Sequence, residues 1–140
     1  MSANIPVLQA RLHAAVCKST PDEATIVSEA TLSSGQDLVL GGDQTASLIV
    51  PDWTGPSVLI ISRDGVLHLG PGMRVNMCGE DGVGRILGTY EELLANGVSM
   101  PIPIMKRRMN IRVRDGLSVF AKYVNDQGEP LKSEVKPEPA

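Results

Sequence analysis

The densest chemistry in the chain is "KRRMNIRVR", Lys106 to Arg114, with five cationic side chains in nine residues of a protein whose formal charge is −3. Guanidinium groups bind carboxylates, phosphates and acidic protein surfaces through charge-assisted forked hydrogen bonds. On a strand, Arg108, Arg112 and Arg114 project from one face. Three roles fit: a charged edge that blocks strand pairing, a basic patch for an acidic protein partner or a neighbouring subunit, or a contact to nucleic acid or anionic lipid. Trp53, the single tryptophan, follows Pro51-Asp52 in a loop, as a core plug or an interface anchor. The candidate interface set is therefore Arg107, Arg108, Arg112, Arg114 and Trp53.

Other reactive residue types do not assemble into a constellation. "GEDGVGRILG", Gly79 to Gly88, contains G-x-G-x-x-x-G, one residue off the dinucleotide fingerprint, and too little chain follows for a crossover helix. No Gly-Lys-Ser/Thr follows a glycine loop. His13 and His68 sit in alternating segments, and a metal site needs three or four converging ligands. No G-x-S-x-G elbow is present. Glu91 and Glu92 are adjacent, so on a helix they point about 100° apart and form no acid/base pair. Cys17 and Cys78 lack C-x-x-C partners; they read as two buried thiols, with a disulfide as the alternative. No cofactor, metal or catalytic residue is expected.

Composition narrows the class. A chain of 140 residues suits one domain. Aromatics are 3%, so the core must be Val, Ile, Leu and Met, and the stacking platforms of single-strand binders are missing. With the acidic balance, this argues against nucleic acid. No run reaches the roughly 18–20 apolar residues that span a bilayer. "HAAVC" resembles a lipoprotein cleavage site, but Val16 is not small and Arg11 and His13 interrupt any apolar region.

The elements that must position these residues are short strands. "VLQARLHAAV" alternates, with Leu8, Ala10, Leu12, Ala14 and Val16 on one face. "TIVSEATL" is a second strand. "DLVL" and "SLIV" flank the turn Gly41-Gly42-Asp43, which reads as a hairpin. "SVLIIS" is a buried strand. Arg63-Asp64-Gly65 and Arg114-Asp115-Gly116 carry the Asp-Gly turn signature. "TYEELLANG" predicts one or two helical turns stopped by Gly97. "MPIPI" is an edge strand or extended loop. In "MNIRVR", Met109, Ile111 and Val113 point inward. About ten strands at this spacing predict an all-β antiparallel sandwich. The predicted domain is residues 1–124. Residues 125–140, rich in Pro, Glu and Lys, read as a disordered linker.

"DLVLGGDQTASLIVPD" resembles the early hairpin of forkhead-associated (FHA) domains, where a strand ends in glycine, a polar loop follows and the next strand ends near an aspartate. "SVLIISRDGVLHLGPG" and "NIRVRDGLSVFAKYV" are similar to the later hairpins, so the resemblance covers roughly residues 7–124. Phosphothreonine-binding members use an arginine after the first glycine, a loop Ser and His, and an Asn-Gly. Here Gly42 and Asp43 stand at the arginine position, "TGPS" has no Ser-x-x-His, and Asn96-Gly97 follows a helical turn. Phosphopeptide binding is therefore not expected. Such a degenerate domain resembles the cytoplasmic domain of type III secretion inner-membrane ring proteins. The resemblance implies a non-enzymatic scaffold at the cytoplasmic face of a bacterial inner membrane, with copies of itself and secretion components as partners. Any membrane attachment would come through a segment absent from this chain. A phosphopeptide-reading FHA domain, and a small β-barrel enzyme or ligand carrier with its site at Gly79–Gly88, are the alternatives.

Overall fold

The structure is a computed structural model that describes residues 11–131 other than 34, 126 and 128. In chain order its strands are β1 (Arg11–Ser19), β2 (Ala24–Leu32), β3 (Leu38–Gly41), β4 (Leu48–Ile49), β5 (Val58–Ile61), β6 (Val66–Leu67), β7 (Arg74–Cys78), β8 (Ile86–Thr89), β9 (Ile102–Pro103), β10 (Arg108–Arg114) and β11 (Leu117–Val124), with one helix, α1 (Tyr90–Ala95). They form two sheets, one in the order β2-β1-β11-β10-β7-β8 and one in the order β4-β3-β5-β6-β9. This is the expected all-β sandwich with one short helix.

Two-residue alternation builds the core. Leu12, Ala14 and Val16 of β1, Val119 and Ala121 of β11, Met109 and Ile111 of β10 and Val75 and Met77 of β7 face inward. Leu38, Leu40, Leu48, Ile60, Leu67, Ile102 and Ile104 belong to the same buried cluster from the other side. Burying each such aliphatic side chain contributes about 1.5–3 kcal/mol, so a core this aliphatic holds without aromatic filling.

The two Asp-Gly turns are hairpins, joining β5 to β6 and β10 to β11, with Gly65 and Gly116 at φ 77° and 75°. The helix starts at a capping box between Thr89 and Glu92. β9, carrying Pro103, is an edge strand.

Three expectations change. β3 and β4 are not a hairpin: they pair in parallel, Leu40 with Leu48 and Gly41 with Ile49, so the chain loops round and returns in the same direction. The fold also continues past Val124. Asn125 N–H donates to Glu129 O, Leu131 N–H donates to Tyr123 O, and Pro130 bridges Val124. The rest of the predicted linker, 132–140, lies outside the described residues, as does the predicted strand start at 7–10. Third, β10 carries a bulge. Arg112 pairs with Ser118 but Arg114 pairs with Leu117, leaving Val113 unmatched. Among the described residues no helix is long and apolar enough to cross a membrane.

Candidate functional site

Antiparallel partners share a face, so the ladder register reads out the outward surface of the six-stranded sheet. One row runs Ala15, Phe120, Asn110, Asn76, Leu87. The next runs Cys17, Ser118, Arg112, Arg74, Thr89. Toward the other end, His13 pairs with Lys122 and Arg108 with Cys78. Arg85 stands just before β8. The face thus gathers Arg74, Arg85, Arg108, Arg112 and Lys122 around Phe120, whose ring is 45% exposed. Among the described residues none of these five cations forms a salt bridge. Arg112 and Arg74 are direct cross-strand neighbours, an arrangement that is destabilising for like charges.

A trough of about 620 Å³ on this face is lined by Ile26, Phe120, Cys17 and Cys78, by the amides of Asn76 and Asn110, and by Arg85, Arg108 and Lys122. Both thiols are free and buried. Three strand spacings and four residues along the strands separate them, roughly 20 Å. A disulfide needs Cα atoms within about 7 Å, so the two do not pair within one chain.

The predicted interface residues separate into three environments. Arg108 and Arg112 lie on the outward face as expected. Arg107 does not: it closes a turn in which Arg107 N–H donates to Ile104 O across Met105 and Lys106. Its side chain is buried, with Nη2 3.6 Å from Met105 Sδ and with Nε and Nη1 unpartnered. Burial pushes its pKa down, so it is corrected from an exposed contact to an interior group. Arg114 is turned off the outward face by the Val113 bulge and covers Trp53. Trp53 is half-buried against the core, and its Nε1–H donates to Pro56 O at 3.1 Å. Beside it, Asp52 pairs with Lys18 at 2.5 Å, which, with a smaller contribution from Arg114, holds its carboxyl below the usual range.

The remaining candidates have structural partners. His13 Nδ1 lies 3.0 Å from Thr31 Oγ1, and Nε2 lies 3.5 Å from Glu29. Ser62 Oγ and His68 Nε2 are both buried without a hydrogen bond, so they do not form a nucleophile–base pair. Glu91 accepts from Gly72 N–H while Glu92 caps α1, so the adjacent carboxylates serve different turns. The Gly79–Gly88 segment joins antiparallel neighbours β7 and β8 through a 3₁₀ turn at Glu80–Gly82. It lacks the strand-to-helix geometry that holds a pyrophosphate. Asp43 accepts from Thr45 N–H and Oγ1–H, bonds that lower its pKa. Its loop is tightly filled: a Cβ on Gly42 would lie 3.2 Å from Trp53 Cβ. Among the described residues no group of three or more His, Cys, Asp or Glu is placed to hold a metal ion.

Sequence reasoning missed Phe120, Lys122, Arg74 and Arg85. Phe120 and Lys122 occupy outward positions in the alternation of "LSVFAKYV" and were readable there. Arg74 and Arg85 were not, because the adjacency of β7 to β10 is a tertiary fact. The chain matches no protein-family model, no curated protein and no solved structure.

Proposed function

We propose that this chain is a non-enzymatic protein-interaction module that docks an acidic protein surface on the outward face of its six-stranded sheet. The observation that carries the reading is the Arg112–Arg74 cross-strand pair, set beside Arg108, Lys122 and exposed Phe120, none of these cations forming a salt bridge among the described residues. Arg74, Arg108, Arg112 and Lys122 are carried on hydrogen-bonded strands, so the face itself needs little backbone ordering to bind, and electrostatic complementarity steers an acidic partner's approach.

The FHA resemblance belongs to this proposal. It is supported by the two-sheet sandwich and the two Asp-Gly hairpins. On that basis the module is an FHA-like cytoplasmic domain of a type III secretion inner-membrane ring component, with ring neighbours and cytoplasmic secretion proteins as partners. Arg108 and Arg112 are its contact cations, and Arg114 with Trp53 borders the contact. Phosphopeptide reading is disfavoured because Asp43 is engaged locally and stands where a phosphate would need a cation.

The test is the double variant Arg108→Glu/Arg112→Glu. Both side chains are exposed, so the thermal midpoint should hold, while assembly or secretion by the full-length parent should fail. Normal assembly by a stable double variant would refute the interface. Micromolar binding of a phosphothreonine peptide, lost on dephosphorylation, would favour the signalling alternative.

A further inference from the structure

We infer that the outward trough receives an acidic amphipathic helix from another protein; this rests on the interface reading above and names its partner. The lining presents exposed apolar surface from Ile26 and Phe120, 58% and 45% exposed, with the amides of Asn76 and Asn110 beside them. The same lining presents Arg85, Arg108 and Lys122. Glu29 is the one acid among the described lining residues, and it faces His13 at 3.5 Å. An apolar strip bordered by cations fits an occupant with an apolar stripe bordered by carboxylates.

Backbone accounting selects a helix. Beneath the trough, β1, β11, β10 and β7 are hydrogen-bonded to one another. An extended segment laid on this face would find no ladder partners, and its N–H and C=O groups would be buried unpaired. A helix satisfies its own backbone and buries an apolar stripe against the sheet. From β2 to β7 there are four strand spacings, roughly 19 Å. A helix rising 1.5 Å per residue crosses that distance in about 13 residues. A second copy of this chain docked face to face would oppose cation to cation. Single-stranded nucleic acid stacks on several rings, and the described lining residues offer only Phe120 and the His13 imidazole, which is engaged by Thr31 and Glu29.

The full chain is titrated with two synthetic peptides of about 14 residues. One has Leu at i, i+3, i+4 and i+7 with Glu on both flanks; the other has the same composition without the periodicity. Oligothymidine and self-association by sedimentation complete the set. The periodic peptide should bind at least about tenfold tighter than its scramble and weaken with salt. Phe120→Ala should weaken it by about tenfold or more. Since this ring is half-exposed, the thermal midpoint checks the fold, and Phe120→Lys gives a second variant. Equal binding of the scramble, tighter binding of oligothymidine, or dimerisation through this face would overturn the inference. If neither peptide binds while Arg108→Glu/Arg112→Glu still abolishes parent assembly, the helix falls and the interface reading stands. If both experiments fail, both readings fall.

Discussion

The Arg114 guanidinium lies over the Trp53 indole, 4.9 Å from the ring centroid. The cause is the unmatched Val113 in β10, which pairs Arg114 with inward-facing Leu117 and swings it toward the loop at Pro51–Trp53. An exposed cation–π contact contributes about 0.5–1 kcal/mol. Arg114→Ala should therefore lower stability by about that amount and change the Trp53 fluorescence. Arg112→Ala, two residues away on the outward face, should stay within about 0.5 kcal/mol of the parent and leave the fluorescence unchanged. Equal responses from the two variants would place both arginines on one face and remove the bulge.

The Met105–Lys106 turn gives an engineering prediction. Both residues adopt left-handed backbone, φ 53° and 57°, and Arg107 N–H closes the turn onto Ile104 O. This is the geometry that Asn-Gly fills at little cost, whereas a bulky L-residue there costs roughly 1–2 kcal/mol. Met105→Asn with Lys106→Gly should stabilise the protein by about 1 kcal/mol, the gain being reduced by glycine's greater unfolded-state entropy. Chemical denaturation should show a higher midpoint at unchanged slope. A lower midpoint would mean that the contacts of Met105 and Lys106, including Met105 Sδ with Arg107, outweigh the backbone strain.

That turn also marks where the sequence stops being legible. Alternation placed Leu12, Ala14, Val16, Met109 and Ile111 inward because each depends only on its own strand. Asp-Gly located two hairpins, and "TYEELLANG" with its stop at Gly97 located the helix. Arg107 was grouped with the interface arginines by charge alone, although alternation counted back from Met109 gives it the inward face on which it is buried. Arg114 was misplaced because a bulge shifts the face without altering local composition. The parallel β3–β4 pairing was hidden for a related reason: Gly41-Gly42-Asp43 signals a reversal but does not say where the returning strand pairs. The cationic face was half legible, through Arg108 and Arg112. Its Arg74 and Arg85 components come from strand order.

Gly41 is set by close approach. A Cβ there would collide with Ser57 Oγ and lie 3.1 Å from Ser57 Cβ and 3.2 Å from Ala46 Cβ. Gly41→Ala should destabilise by roughly 1–3 kcal/mol, as overpacking does. Ser57→Gly in the same background should recover part of the loss, giving a coupling energy of at least about 0.5 kcal/mol. Strictly additive single and double variants would show that the two residues do not touch.

Acid sensitivity should originate at the four carboxylates that the fold holds below their ordinary values, Asp37, Asp43, Asp52 and Glu92. Glu92 Oε1 accepts the Thr89 N–H at 3.0 Å, and Thr89 Oγ1 accepts the Glu92 N–H at 3.1 Å. These bonds hold Glu92 below its ordinary value of 4.5. Asp52 is held below 3.8 chiefly by its Lys18 hydrogen bond, and Asp37 below 3.8 chiefly by Arg63. The unfolded chain lacks these partners, so it binds more protons than the folded chain between the folded and unfolded pKa values. Stability then rises with pH through that window: the contribution is complete above the unfolded value and is lost as pH falls through the folded one. The thermal midpoint should be level above about pH 5 and fall toward pH 3. Glu92→Gln keeps an acceptor at the cap but removes the titration, so combined with Asp52→Asn it should flatten the decline. An equally steep fall in the double variant would locate the acid sensitivity in other carboxylates.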